Sequence, residues 1–106
     1  LRPSLYSGYH KISKSISSSK NKKVYDNVGP ICETGDVLSY DVALNDIKLG
    51  ENLVIHSAGA YGSVMSSNYN SRPKVPEVLV SGKTSYTIKK KETIDQLLQN
   101  EVIIDD

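Results

Sequence analysis

The sequence predicts a mainly β fold, a small β-barrel or sandwich with one short C-terminal helix. Three observations point there. Short runs rich in Val, Ile, Thr and Tyr recur between clusters of Gly, Pro, Asn and Ser. A helical pattern with its own cap comes late, after residue 92. The length, 106 residues, suits one domain, which at this size buries about two thirds of the surface its unfolded chain exposes.

Residues 9 to 16 place Ile12 and Ile16 among polar neighbours, a partial period of two that predicts a half-buried strand. The polar stretch from Ser17 to Lys23 predicts an exposed loop. Val24 to Ile31 returns as a strand broken by Gly29-Pro30, which places Cys32-Glu33-Thr34-Gly35-Asp36 on a turn. Val37 to Asp41 reads as a short strand, Lys48 to Asn52 as a turn, and the apolar run Leu53-Val54-Ile55-His56 as the central strand. From Ser57 to Pro73 the chain is small, polar and aromatic without periodicity, which predicts ordered loop or short helix. Glu77 to Val80 and Thr84 to Ile88 flank Ser81-Gly82-Lys83 as a hairpin. Thr93 and Gln96 have capping-box spacing, and Ile94, Leu97 and Leu98 then share one helical side over residues 92 to 100.

Composition narrows the function. Net charge is +1, with lysines at 20, 22 and 23 and at 89 to 91. These read as solvated clusters, without the basic field of a nucleic-acid binder. No apolar run reaches the roughly 20 residues of a membrane span. The single cysteine, Cys32, without a secretory signal, suits a reducing cytoplasm. The start at Leu1, without an initiator Met, reads as the interior of something longer.

Individual residues carry less. Glu33 would raise rather than lower the pKa of a neighbouring Cys32 thiol, and burial is the commoner fate of a free cysteine. His10 and His56 lack a third ligand at metal spacing, and His56 in an apolar strand reads as a satisfied core histidine. Gly59-Ala60-Tyr61-Gly62 matches no phosphate-loop motif. Arg2 and Arg72, each before Pro, have the chemistry to grip a carboxylate, with surface solvation the simpler reading. Tyr6, Tyr61 and Tyr69 read as core rings with satisfied hydroxyls in a chain with no Phe or Trp.

Four segments together resemble the diaminopimelate decarboxylase family: Arg2-Pro3-Ser4-Leu5-Tyr6; Gly29-Pro30-Ile31-Cys32-Glu33-Thr34-Gly35-Asp36; His56 to Gly62 running into Met65 to Pro73; and Lys89-Lys90-Lys91-Glu92-Thr93. They occur in the family's order and spacing over essentially the whole chain. The resemblance implies a C-terminal β-domain over residues 1 to 106, closing the site of an N-terminal β/α barrel that this chain lacks. It implies pyridoxal 5'-phosphate chemistry, with the cofactor's lysine outside this chain, and conversion of meso-2,6-diaminopimelate to L-lysine and carbon dioxide in a cytoplasmic homodimer.

Carried over by the resemblance, Cys32 is the acid at the reaction centre, reaching the neighbouring subunit's site. Glu33 binds the substrate's distal ammonium, Tyr61 contacts cofactor phosphate and substrate, and Arg2 with Tyr6 holds the distal carboxylate. Glu33 after Cys32 and the run from Ser66 to Arg72 fit this branch better than decarboxylases of ornithine or arginine. The family often has arginine within the basic triplet, here all lysine, and Ser7-Gly8-Tyr9 varies a variable segment. A fragment of this kind is expected to be inactive alone. The alternative is a non-catalytic module, or relict, that keeps the dimer surface and pairs with a full-length relative.

Overall fold

A computed structural model describes residues 2–16 and 21–104. In chain order the elements are α1 (Arg2–Tyr6), β1 (Ile12–Lys14), β2 (Lys22–Val28), β3 (Val37–Asn45), β4 (Leu53–Ile55), α2 (Gly59–Gly62), a 3-10 turn (Tyr69–Ser71), β5 (Glu77–Ser81), β6 (Thr84–Lys89) and α3 (Ile94–Leu98). The mainly β class and the late short helix are those expected. Among the described residues the strands make three antiparallel pairs, β1 with β4, β2 with β3 and β5 with β6, and no ladder links the pairs into a closed barrel. The chain divides into two compact units, residues 1–65 and 66–106.

In the first unit, β2 and β3 form a hairpin whose tip is residues 29 to 36. Its register slips twice near the tip: Tyr25 faces Val42, Asn27 faces Ser39 and Val28 faces Val37. Asp41 absorbs the extra length with φ of 52°. Its N–H donates to the Asp26 carboxylate at 3.0 Å, an acceptor that helps hold a conformation Asp tolerates better than most residues. Ile12 and Leu44 are the buried apolar side chains of this unit, with His10 and Asn27 buried beside the strands. Both polar groups are satisfied, Asn27 by donating to Ser39 Oγ at 2.8 Å and His10 through the His56 carbonyl at 3.0 Å.

Several expectations are corrected. Lys22 and Lys23 belong to β2, not to a loop, because Lys23 pairs with Asp46 at 2.8 Å and the ladder supplies backbone partners. Of the polar loop expected from Ser17 to Lys23, residues 17 to 20 lie outside the described residues. β1 covers only Ile12–Lys14, because its partner β4 is itself three residues long. The apolar run at residues 53 to 56 is not a central strand: β4 pairs with β1 alone, and Leu53 and Val54 remain partly exposed. An apolar run signals burial but cannot name its partners. β3 runs four residues beyond the expected Asp41 because β2 stays paired with it through Asn45.

In the second unit, the β5–β6 hairpin turns at Gly82, whose φ of 60° suits glycine, and α3 opens on the expected capping box. Thr93 Oγ1 accepts from Gln96 N at 3.2 Å, and Gln96 Oε1 accepts from Thr93 N at 2.9 Å.

Candidate functional site

The loop joining β2 to β3 is closed by Asp36. Gly29 N donates to the Asp36 carbonyl at 2.8 Å, Asp36 N donates to the Glu33 carbonyl at 3.1 Å, and the Asp36 carboxylate accepts from Ile31 N at 2.9 Å. That carboxylate lies over Gly29, where any Cβ would overlap it. The Glu33 carboxylate curls over Gly35 in the same way, so a Cβ there would stand 2.8 Å from its Oε2. Gly29 is needed for close approach rather than for an unusual φ, because the Asp36 carboxylate is tied to Ile31 N, whereas the exposed Glu33 side chain could swing away from a Cβ at Gly35. The result is a tied loop with Cys32 and Glu33 exposed on it. The burial commonly met for a free cysteine does not hold for Cys32, because the loop's inward polar group is Asp36.

Helix α1 is tied to this loop. Ser4 Oγ donates to the Gly35 carbonyl and lies 3.4 Å from the Val37 carbonyl. The two segments wall an open cleft of about 750 Å³, lined among others by Ser4, His10, Glu33, Val37 and Val42. Tyr6 continues α1 with its side chain 69% exposed. Arg2 begins α1, and its expected role at a carboxylate lies outside the described side chains.

Tyr61 is placed by a different route. His56 N donates to the Lys11 carbonyl at 2.8 Å, holding the end of β4 to the strand before it turns into α2. Tyr61 N and Gly62 N then return to the Ala58 carbonyl at 3.2 and 2.6 Å. The Tyr61 side chain is 49% exposed. The structure thus joins α1 to the Cys32-Glu33 loop directly, and carries Tyr61 in the same unit on a separate turn. Tyr6, Tyr61 and Tyr69 are all exposed, which corrects the expectation of core rings. Tyr25 is half-buried with its hydroxyl satisfied: it donates to the Asp46 carboxylate at 3.1 Å and accepts from Ile47 N at 3.0 Å.

Charged side chains stiffen the surroundings. Lys14 Nζ pairs with Glu51 at 2.7 Å and donates to the Asp46 carbonyl at 3.1 Å, with its side chain 4% exposed. The Lys14 ammonium, followed by the Lys48 N–H, holds the Glu51 carboxyl below the usual range. Lys23, then the Tyr25 hydroxyl, does the same to Asp46. In the second unit Glu92 Oε2 accepts from Lys74 N at 2.8 Å and Asn68 Nδ2 at 2.6 Å, and those two donors, in that order of effect, lower its pKa. Within this unit, Glu92 thus ties the noted segment at 89 to 93 to the one that contains Asn68. Sequence reading missed Asp36, Ser4 and Glu92 as organisers. The signals present were an Asp closing a Gly-Pro turn and a lone carboxylate after three lysines.

His56 is satisfied as expected, its Nε2 2.7 Å from Ser13 Oγ, although half-buried rather than in the core. Among the described residues no three His, Cys, Asp or Glu groups cluster as metal ligands, and no helix is long and apolar enough to cross a membrane.

Residues 1–59 match the family described as pyridoxal-dependent decarboxylase, C-terminal sheet domain. The chain belongs to this family. Relatives named diaminopimelate decarboxylase include those of Aquifex aeolicus, 46% identical over 93% of this chain and 24% of the relative. That of Zymomonas mobilis is 44% identical over 95% and 24%, and that of Escherichia coli K12 39% over 97% and 27%. Among crystal structures, diaminopimelate decarboxylase from M. jannaschii in complex with L-lysine superposes with a TM-score of 0.89 at 34% identity, covering 97% of this chain and 24% of that one. The Helicobacter pylori enzyme with L-lysine gives 0.84 at 39%, covering 94% and 25%. This sheet domain spans about a quarter of the length of the curated relatives it matches.

The family's description implies pyridoxal phosphate, and the described residues around Tyr61 form an open surface rather than an enclosure. Tyr61 is half-exposed, and the α2 glycines, Gly59 and Gly62, have open space where a Cβ would be. The enclosed amine of Lys14 is committed to Glu51 and Asp46. An exposed tyrosine beside two unobstructed glycines would fit a contact with the cofactor's phosphate, not its full enclosure.

Proposed function

We propose that residues 1 to 106 form the site-closing C-terminal domain of a diaminopimelate decarboxylase, which converts meso-2,6-diaminopimelate to L-lysine and carbon dioxide. The observation that carries this reading is the tied loop presenting Cys32 and Glu33 beside α1. It is supported by relatives of that name matching along almost the whole chain. The barrel domain, with the cofactor's lysine, belongs to the rest of a longer protein, and the assembly is a cytoplasmic homodimer.

Pyridoxal 5'-phosphate supplies the electron sink that lets carbon dioxide leave. This chain's residues bind, orient and deliver a proton. Glu33 takes the distal ammonium of the substrate by a charge-assisted contact, discriminating against amino acids that lack it. Arg2 and Tyr6, on the helix tied to the Glu33 loop, hold the distal carboxylate, so one end of the substrate is read by two joined segments. Tyr61 contacts cofactor phosphate and substrate. The Cys32 thiol, exposed at the tip and directed to the neighbouring subunit's site, gives its proton to the carbon that lost the carboxylate.

The test is complementation. The chain is mixed with the barrel domain of the Aquifex aeolicus relative, pyridoxal phosphate and meso-diaminopimelate, and carbon dioxide and L-lysine are assayed. Lysine is expected only with the intact chain, and Cys32→Ala or Glu33→Ala is expected to lower turnover at least about a hundredfold, the scale of a lost acid or charged contact. Association without lysine formation favours a non-catalytic pairing module. Undiminished activity in both variants overturns the residue roles.

A further inference from the structure

The turn that carries Tyr61 has no buried side chain of its own: none of the residues of α2 is buried. It begins with Ser57 at φ 53°, a left-handed conformation that a non-glycine residue keeps only when neighbours hold it. The holding contacts converge on His56. Its N–H donates to the Lys11 carbonyl at 2.8 Å, its carbonyl is met by His10 Nδ1 at 3.0 Å, and its own Nε2 lies 2.7 Å from Ser13 Oγ. A carbonyl oxygen only accepts, so His10 Nδ1 must carry a proton. His10 is the buried member of the set at 8% exposure, and it also lines the cleft whose other wall holds Glu33. Ser7, three residues before it, is likewise left-handed at φ 52°. His10 therefore sits between two strained turns, one leading from α1 and one leading into α2.

We propose that His10 is a positioning residue, whose Nδ1–H bond to the His56 carbonyl sets the Tyr61 turn relative to the cleft between α1 and the Glu33 loop. Its consequence for catalysis rests on the reading of Tyr61 given above. The clamp itself does not.

The experiment is amide hydrogen exchange on the intact chain, read at Tyr61, Gly62 and Met65, whose N–H groups bond within the turn, against the β2–β3 ladder as internal reference. His10→Ala is expected to speed exchange at those three amides about fivefold or more, the scale of one lost buried hydrogen bond, with the ladder unchanged. His10→Asn, whose amide nitrogen reaches the Nδ1 position, is expected to restore protection. His10→Gln, which reaches the Nε2 position, is expected to fail, and this pair decides the matter if the alanine variant does not fold. Equal exchange in the Asn and Gln variants, or an unchanged turn in all three, overturns the proposal. In the complementation mixture, Tyr61→Phe with undiminished activity alongside an intact exchange pattern overturns the Tyr61 role and leaves the clamp standing, so the two readings fail separately.

Discussion

At the scale of single residues, Asp36 and Gly29 act as a lock and its clearance. The Asp36 carboxylate occupies the space over Gly29 and accepts the Ile31 N–H. Asp36→Ala is expected to cost about 1 to 3 kcal/mol through the unpaired N–H and the opened loop, and Gly29→Ala to have the same effect by evicting the carboxylate. Urea titration followed by circular dichroism measures both, and a Gly29→Ala midpoint equal to the parent's would refute the packing. Ser57 is a separate case: at φ 53°, Ser57→Gly is expected to lie within about 1 kcal/mol of the parent, whereas Ser57→Val is expected to lose about 1 to 2 kcal/mol. The same titration distinguishes them.

At the scale of elements, α3 has five residues and depends on its cap. Thr93→Ala removes the acceptor of the Gln96 N–H and is expected to cost about 1 kcal/mol, seen as faster amide exchange at Gln96 and Leu97. The segment from Asn68 to Lys74 depends on Glu92, whose pKa is lowered by the Lys74 N–H and then the Asn68 amide. A carboxyl with a depressed folded pKa contributes stability that is complete above its unfolded value, about 4.3 for glutamate, and that is lost as pH falls through the folded value below it. The Lys74 amide resonance is therefore expected to move on acidification below that value, and Glu92→Gln, which keeps an acceptor without the titration, is expected to flatten the response. Lys22 and Lys23 make the related point that a polar run becomes strand when a partner ladder and an ion pair to Asp46 are available.

At the scale of the whole molecule, the apolar surface is incompletely used. Ile12 and Leu44 are the buried hydrophobic side chains among the described residues, while Leu79, Val80, Tyr86, Ile88 and Val102 to Ile104 stand exposed. Surface of that extent is usually covered by another chain or domain. The isolated chain is expected to fold when dilute but to associate with rising concentration, and the barrel domain to suppress that association. Sedimentation velocity across a concentration series checks this, and a monomer that stays monodisperse at high concentration would contradict it. What the residues alone determined was local: the β5–β6 hairpin from its Gly82 turn, α3 from Thr93 and Gln96, the turn after Gly29-Pro30, and a resemblance carried by four short segments. These follow from backbone preference and near-neighbour hydrogen bonding, which act within a few residues. Partners at long separation were decided by the tertiary structure: Ser4 with Gly35, His10 with His56, Lys14 with Glu51, and Asn68 with Glu92. A polar side chain bonds to whatever donor or acceptor folding brings within about 3 Å, and no periodicity in the sequence records which one that is.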